Sequence, residues 1–127
     1  MPATTKPVTR VATVIIPVGD QEKAVDFYCR TLGFEKRRDV PMPNGERWIE
    51  VAPPGGETSI AVMPARNGHL KADIGLSTDD ADAAHAHLVA CGCDVDDAVM
   101  RVGQGVPPMF TFRDPDGNQF RMVELEA

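Results

Sequence analysis

Trp48 and Glu50 are the two residues whose types and spacing point most directly to chemistry. Trp48 is the only tryptophan in the chain, and residues 46–51 alternate polar and apolar types as a half-buried strand does. This alternation places Trp48 and Glu50 on one strand face, and Arg47 and Ile49 on the other. The indole can stack on a flat or cationic ligand, with Glu50 as an acid or base beside it. The alternative is a core or dimer-contact tryptophan next to an exposed edge-strand glutamate.

The histidines and cysteines do not form a recognisable site in the sequence. His85 and His87 stand two residues apart on a predicted helix, so they point to opposite sides and cannot chelate one ion. His69 lies in a predicted loop, either as a general base or as a solvated side chain. Cys91-x-Cys93 lacks the two-residue spacer of redox and zinc motifs, and the total of three cysteines is odd. We therefore expect reduced, half-buried thiols.

Composition limits the partners and the compartment. The formal net charge is −6 over 127 residues, a sign that repels phosphate backbones, so nucleic acid is not an expected partner. The same charge indicates either a mild preference for neutral or cationic ligands or, as we favour, only a need for solubility. No apolar run is long enough to span a bilayer, and residues 1–7 lack the hydrophobic stretch of a signal peptide. We expect a cytoplasmic protein with no membrane partner.

The elements that must position these residues begin with a buried strand. Residues 10–16 are rich in β-branched side chains and predict that strand. Asp20 is a candidate helix N-cap, and Gly33 ends the helix. Three predicted strands follow, at residues 34–40, 46–51 and 58–63.

The same order of elements returns about sixty residues later. This shift places Thr13 on Asp73 and Asp20 on Asp80. The pattern predicts a single α+β domain over residues 1–127. It contains two β-α-β-β-β units, at about 10–64 and 72–125, in a curved mixed sheet around a cavity.

Three segments resemble the signatures of a known family. Residues 20–34 (DQEKAVDFYCRTLGF), residues 78–84 (TDDADAA) and residues 112–118 (FRDPDGN) are similar to segments of the vicinal oxygen chelate family. That family includes glyoxalases, bleomycin-resistance proteins and dioxygenases. The resemblance runs from about Val11 to Glu124 and implies the glyoxalase/bleomycin-resistance-like fold. It also implies a homodimer, because the family builds its cavities from units packed side by side, often across chains.

The resemblance further implies a divalent metal, held by His or Gln on the first strand of each unit and by Glu on the last. This chain has Thr13 and Asp73 at the first-strand positions, residues 61–63 (AVM) on the last strand of the first unit, and Arg121 in place of the second glutamate. Arginine is a permanent cation without a lone pair to donate, so it repels an ion. We predict no metal and no cofactor. Arg121 and Asp73 then form either the polar floor of a ligand cavity or a structural ion pair.

Two functions of different classes follow from these positions. The first is a metal-independent small-molecule-binding protein similar to the bleomycin-resistance branch, with no catalytic residue assigned. Its predicted ligand-binding residues are Thr13, Trp48, Glu50, Met63, Asp73, Phe112 and Arg121. Met63 and Phe112 line either the cavity or the core. The second is a glyoxalase-like lyase or isomerase that holds a divalent ion with substitute ligands. Those substitutes are drawn from Asp73, Glu50, His69 and Glu124. The residues at the metal positions favour binding, and the histidine spacing disfavours a dioxygenase.

Overall fold

The computed structural model describes residues 7–66 and 70–125 and contains two four-stranded mixed sheets, one in each predicted unit. The first unit consists of β1 (Thr13–Val18), α1 (Gln21–Asp26) with a π-helical continuation (Phe27–Thr31), β2 (Glu35–Pro41), β3 (Arg47–Ala52) and β4 (Ser59–Pro64). The second unit consists of β5 (Asp73–Thr78), α2 (Ala81–Ala90), β6 (Asp94–Val95), β7 (Met109–Arg113) and β8 (Gln119–Glu124). The predicted order of strand, helix and three strands, present twice, is confirmed.

The two sheets have the same topology. The strand orders are β1-β4-β3-β2 and β5-β8-β7-β6. In each sheet the first and last strands of the unit run parallel, and the remaining neighbours run antiparallel. Thr13 opens β1 and Asp73 opens β5, so the sixty-residue shift read from the sequence is also the shift between equivalent strands.

The helix ends follow local chemistry. The Asp20 side chain accepts a hydrogen bond from the Lys23 amide at 3.2 Å, and Asp80 accepts one from the Ala83 amide at 3.0 Å, as N-caps do. Gly92 follows the end of α2 with φ +75°, a left-handed conformation that glycine adopts without a Cβ penalty. No helix in the described ranges is long and apolar enough to cross a bilayer.

One hydrophobic core receives side chains from the helix-facing sides of both sheets. Ile49 and Val62 enter it from the first sheet, and Phe112 and Phe120 enter it from the second. The Tyr28 ring joins the two groups, with its centroid 5.9 Å from that of Phe120. This shared core leaves the opposite face of each sheet, here called the outer face, available for other contacts.

The turn Asp114–Asn118 joins the two units, a role that the sequence did not reveal. The buried Asn118 amide donates to the Pro17 carbonyl at 2.8 Å, and its carbonyl accepts from the Ala72 amide at 2.9 Å. Tyr28 Oη donates to Asp114 Oδ2 at 2.6 Å. Burial, and then the neighbouring Asp114 carboxylate, raise the pKa of Tyr28, so the phenol remains a donor. The turn therefore fixes the end of β1 against the second unit.

Candidate functional site

The outer face of the first sheet carries an enclosed carboxylate beside the only tryptophan. Glu50 Oε2 accepts from Trp48 Nε1 at 2.5 Å, and Glu50 Oε1 accepts from Ser59 Oγ at 2.6 Å. Only 14% of the Glu50 side chain is exposed. The hydrogen bond from Ser59, followed by that from Trp48, lowers the pKa of Glu50. The group is therefore a fixed anion near neutral pH rather than a proton donor.

Thr13 and Met63 lie on the same outer face as Trp48 and Glu50. Their neighbours Val14 and Val62 pack against the core, so strand alternation turns Thr13 and Met63 to the other side. Thr13 is half-buried and Met63 is buried. Ile15, between them on this face, is 55% exposed. The carboxylate of Glu50 thus stands in a largely apolar surface.

Asp73 and Arg121 form a loose pair on the outer face of the second sheet. Arg121 Nη2 lies 3.8 Å from Asp73 Oδ2, and Gln119 Nε2 donates to the same oxygen at 3.3 Å. The Asp73 side chain is 61% exposed and the Arg121 side chain is 48% exposed. An ion pair this exposed contributes about 0–1 kcal/mol to folding. Among the described residues, no hydrogen bond or ion pair connects these two residues to Trp48 or Glu50.

Phe112 occupies a different environment from the other predicted ligand-binding residues. It is fully buried and stacks on Phe120 with a centroid distance of 5.3 Å. In the ladder, Arg121 pairs with Thr111, so Phe112 points to the helix-facing side. The structure therefore places Phe112 in the core and not on the outer face with Arg121.

Those substitute metal ligands considered from the sequence that the structure describes do not cluster. No group of three or more His, Cys, Asp or Glu side chains within residues 7–66 and 70–125 is arranged to hold a metal ion. Glu124 Oε1 instead accepts from the Ala81 amide at 2.8 Å, at the start of α2. Glu50 is held by Trp48 and Ser59, and His69 lies outside the described residues.

A concave region lies on the helix-facing side, between the two units. This cleft has a volume of about 790 Å³. Val14 and Ile60 of the first unit and Ile74, Leu76 and Met122 of the second line it. None of the seven predicted ligand-binding residues reaches it. The cleft forms only when the two units pack together, so no local sequence pattern announces it.

Arg38 is a functional candidate that the sequence analysis missed. The β2–β3 ladder shifts its register between Lys36 and Arg38, and Arg38 then stands opposite Glu50. Arg38 Nε lies 3.5 Å from Glu50 Oε2. A register shift of this kind depends on the paired strand and has no reliable sequence signal.

With this geometry established, comparison with known proteins decides the family. The chain matches the Glyoxalase/Bleomycin resistance protein/Dioxygenase superfamily over residues 10–122. It belongs to this superfamily. The resemblance inferred from the three sequence segments is thereby confirmed, together with the repeated α+β fold.

Several relatives share nearly the whole length of the superfamily domain. A superfamily member from Sphaerobacter thermophilus DSM 20745 is 36% identical, with a TM-score of 0.83 over 91% of this chain and 97% of that one. TnmS3, an antibiotic binding protein from Streptomyces sp. CB03234, is 36% identical, with a TM-score of 0.79 over 94% and 98%. YetH from Bacillus subtilis (strain 168) is 29% identical over 121 residues, which cover 92% of this chain and 99% of YetH.

Proposed function

We propose that this chain binds a small organic molecule on the outer face of its first sheet, without a metal ion. The observation that carries the proposal is the Glu50 carboxylate, which two neutral donors hold in an apolar surface beside Trp48. A flat indole next to a fixed charge provides both contact area and orientation for a ligand. Thr13 and Met63 complete this surface.

A homodimer would enclose the ligand. Ile15 is 55% exposed and Val40 is 43% exposed on the outer face of the first sheet. These side chains lie on β1 and β2, the two edge strands on either side of Trp48 and Glu50, and exposed apolar side chains across one sheet face favour cover by another protein surface. We propose that a second copy supplies it, and that Asp73 and Arg121 contribute polar contacts from the outer face of the second sheet. A two-fold axis would then generate equivalent ligand sites.

The relatives support a binding function. TnmS3, which matches 94% of this chain at 36% identity, is an antibiotic binding protein. The same superfamily includes glyoxalases and dioxygenases, so membership alone leaves the reaction class open. The residues at the metal-ligand positions favour a binding protein over a metal-dependent enzyme. Thr13 and Arg121 replace the ligands that a divalent ion needs.

Trp48 makes the proposal directly testable, because it is the only tryptophan in the chain. A panel of antibiotics and small carbonyl compounds would be titrated while the Trp48 emission is recorded. We expect saturable quenching by at least one compound, and purified protein without stoichiometric metal. One nickel, zinc, manganese or iron ion per protomer, together with turnover of a carbonyl substrate, would support the lyase or isomerase instead.

A further inference from the structure

The irregularity in β2 gives Arg38 its position. Glu35 and Lys36 pair with Ala52 and Val51, but the next paired residue is Arg38, opposite Glu50. Two residues of β2 therefore correspond to one step of β3, as in a β-bulge. Such a bulge changes the direction of the side chains that follow it and often lies beside a functional site.

The residue inserted by the bulge, Arg37, is held by the turn between β3 and β4. The Arg37 guanidinium donates to the carbonyl of Pro53 at 2.8 Å and also to that of Gly56. These two carbonyls belong to the turn before β4, so they anchor the bulge. Arg38 is consequently directed to Glu50 instead of alternating to the helix-facing side.

The guanidinium of Arg38 and the indole of Trp48 meet at one oxygen. Glu50 Oε2 accepts from Trp48 Nε1 at 2.5 Å and lies 3.5 Å from Arg38 Nε. Arg38 is 61% exposed, whereas Glu50 is 14% exposed. A ligand that stacks on the indole therefore reaches the guanidinium before it reaches the carboxylate.

Arg38, rather than Glu50, provides the hydrogen-bonding groups that a ligand can use at this position. Both Glu50 oxygens already accept from protein donors. Arg38 has five N–H donors, and within residues 7–66 and 70–125 its ion pair with Glu50 is a single long contact through Nε. The planar edge formed by the other guanidinium nitrogens matches the two oxygens of a carboxylate or sulfonate.

We infer that Arg38 determines ligand specificity, and that the ligand is a planar aromatic molecule with an anionic group on its edge. The ring lies on Trp48, the anionic group pairs with Arg38, and Glu50 holds both protein groups in position. This inference rests on the proposed binding function. The composition of the chain, which is acidic overall, suggested a neutral or cationic ligand. The accessible charged group at this site is the Arg38 cation, which favours an anionic ligand instead.

Two probes of matched shape test the inference: 9-anthracenecarboxylate and 9-(aminomethyl)anthracene, each titrated against Trp48 emission. We expect the anion to bind at least about tenfold more tightly, as a charge-assisted pair provides. Arg38→Ala should remove this advantage, and Arg38→Lys should restore only part of it, because an ammonium lacks the planar fork. Arg30→Ala is the matched control, since it removes another exposed cation that pairs with Asp26 on the first helix.

The outcomes separate this inference from the proposed function. Equal or tighter binding of the cationic probe, or unchanged anion binding by a folded Arg38→Ala variant, would overturn the role of Arg38 while leaving small-molecule binding intact. Absence of Trp48 quenching by both probes and by the whole compound panel would reject the binding function, and the inference with it. Circular dichroism and the Tm of each variant confirm that it folds.

Discussion

At the scale of single residues, hydrogen-bond partners decide what the acidic side chains do. Glu50 has two neutral donors and little solvent, so it remains a carboxylate that orients its neighbours. Asp114 also accepts from buried donors, one of which, Tyr28 Oη, belongs to the first unit, so this carboxylate helps to hold the two units together. Asp73 and Arg121 have one long contact in solvent. The carboxylate beside Trp48 therefore carries the functional argument.

Replacing Glu50 with Gln should lower stability in a pH-dependent manner. The amide can accept only one of the two hydrogen bonds, so we expect a loss of about 1–2 kcal/mol at pH 7. The pKa of Glu50 lies below its ordinary value of 4.5, so its contribution is present above that value and is lost as pH falls through the lowered pKa. Urea unfolding of both proteins at pH 7 and at acid pH measures this, and a difference that persists unchanged at pH 2–3 would contradict it.

Asn118→Ala should weaken the joint between the units. The change removes the donor to the Pro17 carbonyl and the acceptor of the Ala72 amide, both at buried positions. We expect about 2–3 kcal/mol of lost stability. Gln119→Ala, at the next residue, is the control and should change stability by less than about 0.5 kcal/mol. Similar urea midpoints for the two variants would argue against a joint at this turn.

The sequence predicted the neighbours of Trp48 better than those of Arg121. Alternation along one strand was enough to place Trp48 with Glu50, and the hydrogen bond between them confirms that they share a face. Assigning Phe112 to the ligand surface required the register between β7 and β8, which sequence alone does not provide. Arg38 was missed for the same reason, because the bulge is a property of the β2–β3 pair.

At the scale of elements, helix ends were the most predictable feature because their causes are local. The cap at Asp20 and the glycine after its helix lie where the sequence placed them, and the second helix repeats both features at Asp80 and Gly92. The helix-side cleft was not predictable, since its walls come from both units. Local signals therefore specify each unit, whereas the packing between the units depends on contacts between residues distant in sequence.

Substitutions at two glycines test whether local backbone conformation acts independently of tertiary packing. Gly92 has φ +75°, and a Cβ added there would meet no atom within 4 Å. Gly92→Ala should therefore cost about 1–2 kcal/mol through backbone conformation alone. Gly75, in β5, has the same open space without a left-handed φ, so Gly75→Ala should be neutral or stabilising. Thermal unfolding of the two variants measures the contrast, and equal Tm values would refute it.

At the scale of the whole molecule, the duplicated unit creates two outer faces that carry different chemistry. The first bears Trp48, Glu50 and the exposed Ile15, and the second bears Asp73 and Arg121. Within the described residues no hydrogen bond or ion pair joins Trp48 and Glu50 to Asp73 and Arg121, so the proposed second subunit would be needed to complete the cavity. The single-domain boundaries of residues 1–127 and the cytoplasmic location stay predictions.

Ile15→Asp should prevent dimer formation by placing a charge in the proposed interface. Light scattering after size-exclusion chromatography should show a dimer for the parent protein and a monomer for this variant, with loss of ligand binding. Val89→Asp is the control, because Val89 is 54% exposed on α2, away from the outer face. A parent protein that is already monomeric and still binds ligand would contradict the shared cavity.

Metal-independent ligand binding beside Trp48 is tested most directly by a ligand titration on protein that has been treated with a chelator and then dialysed. Trp48 emission would be followed with the tightest compound from the panel, before and after addition of divalent nickel, zinc and manganese. We expect saturation at one ligand per protomer, with an affinity that the ions leave unchanged. Binding that disappears on chelation and returns with one of the ions would contradict it.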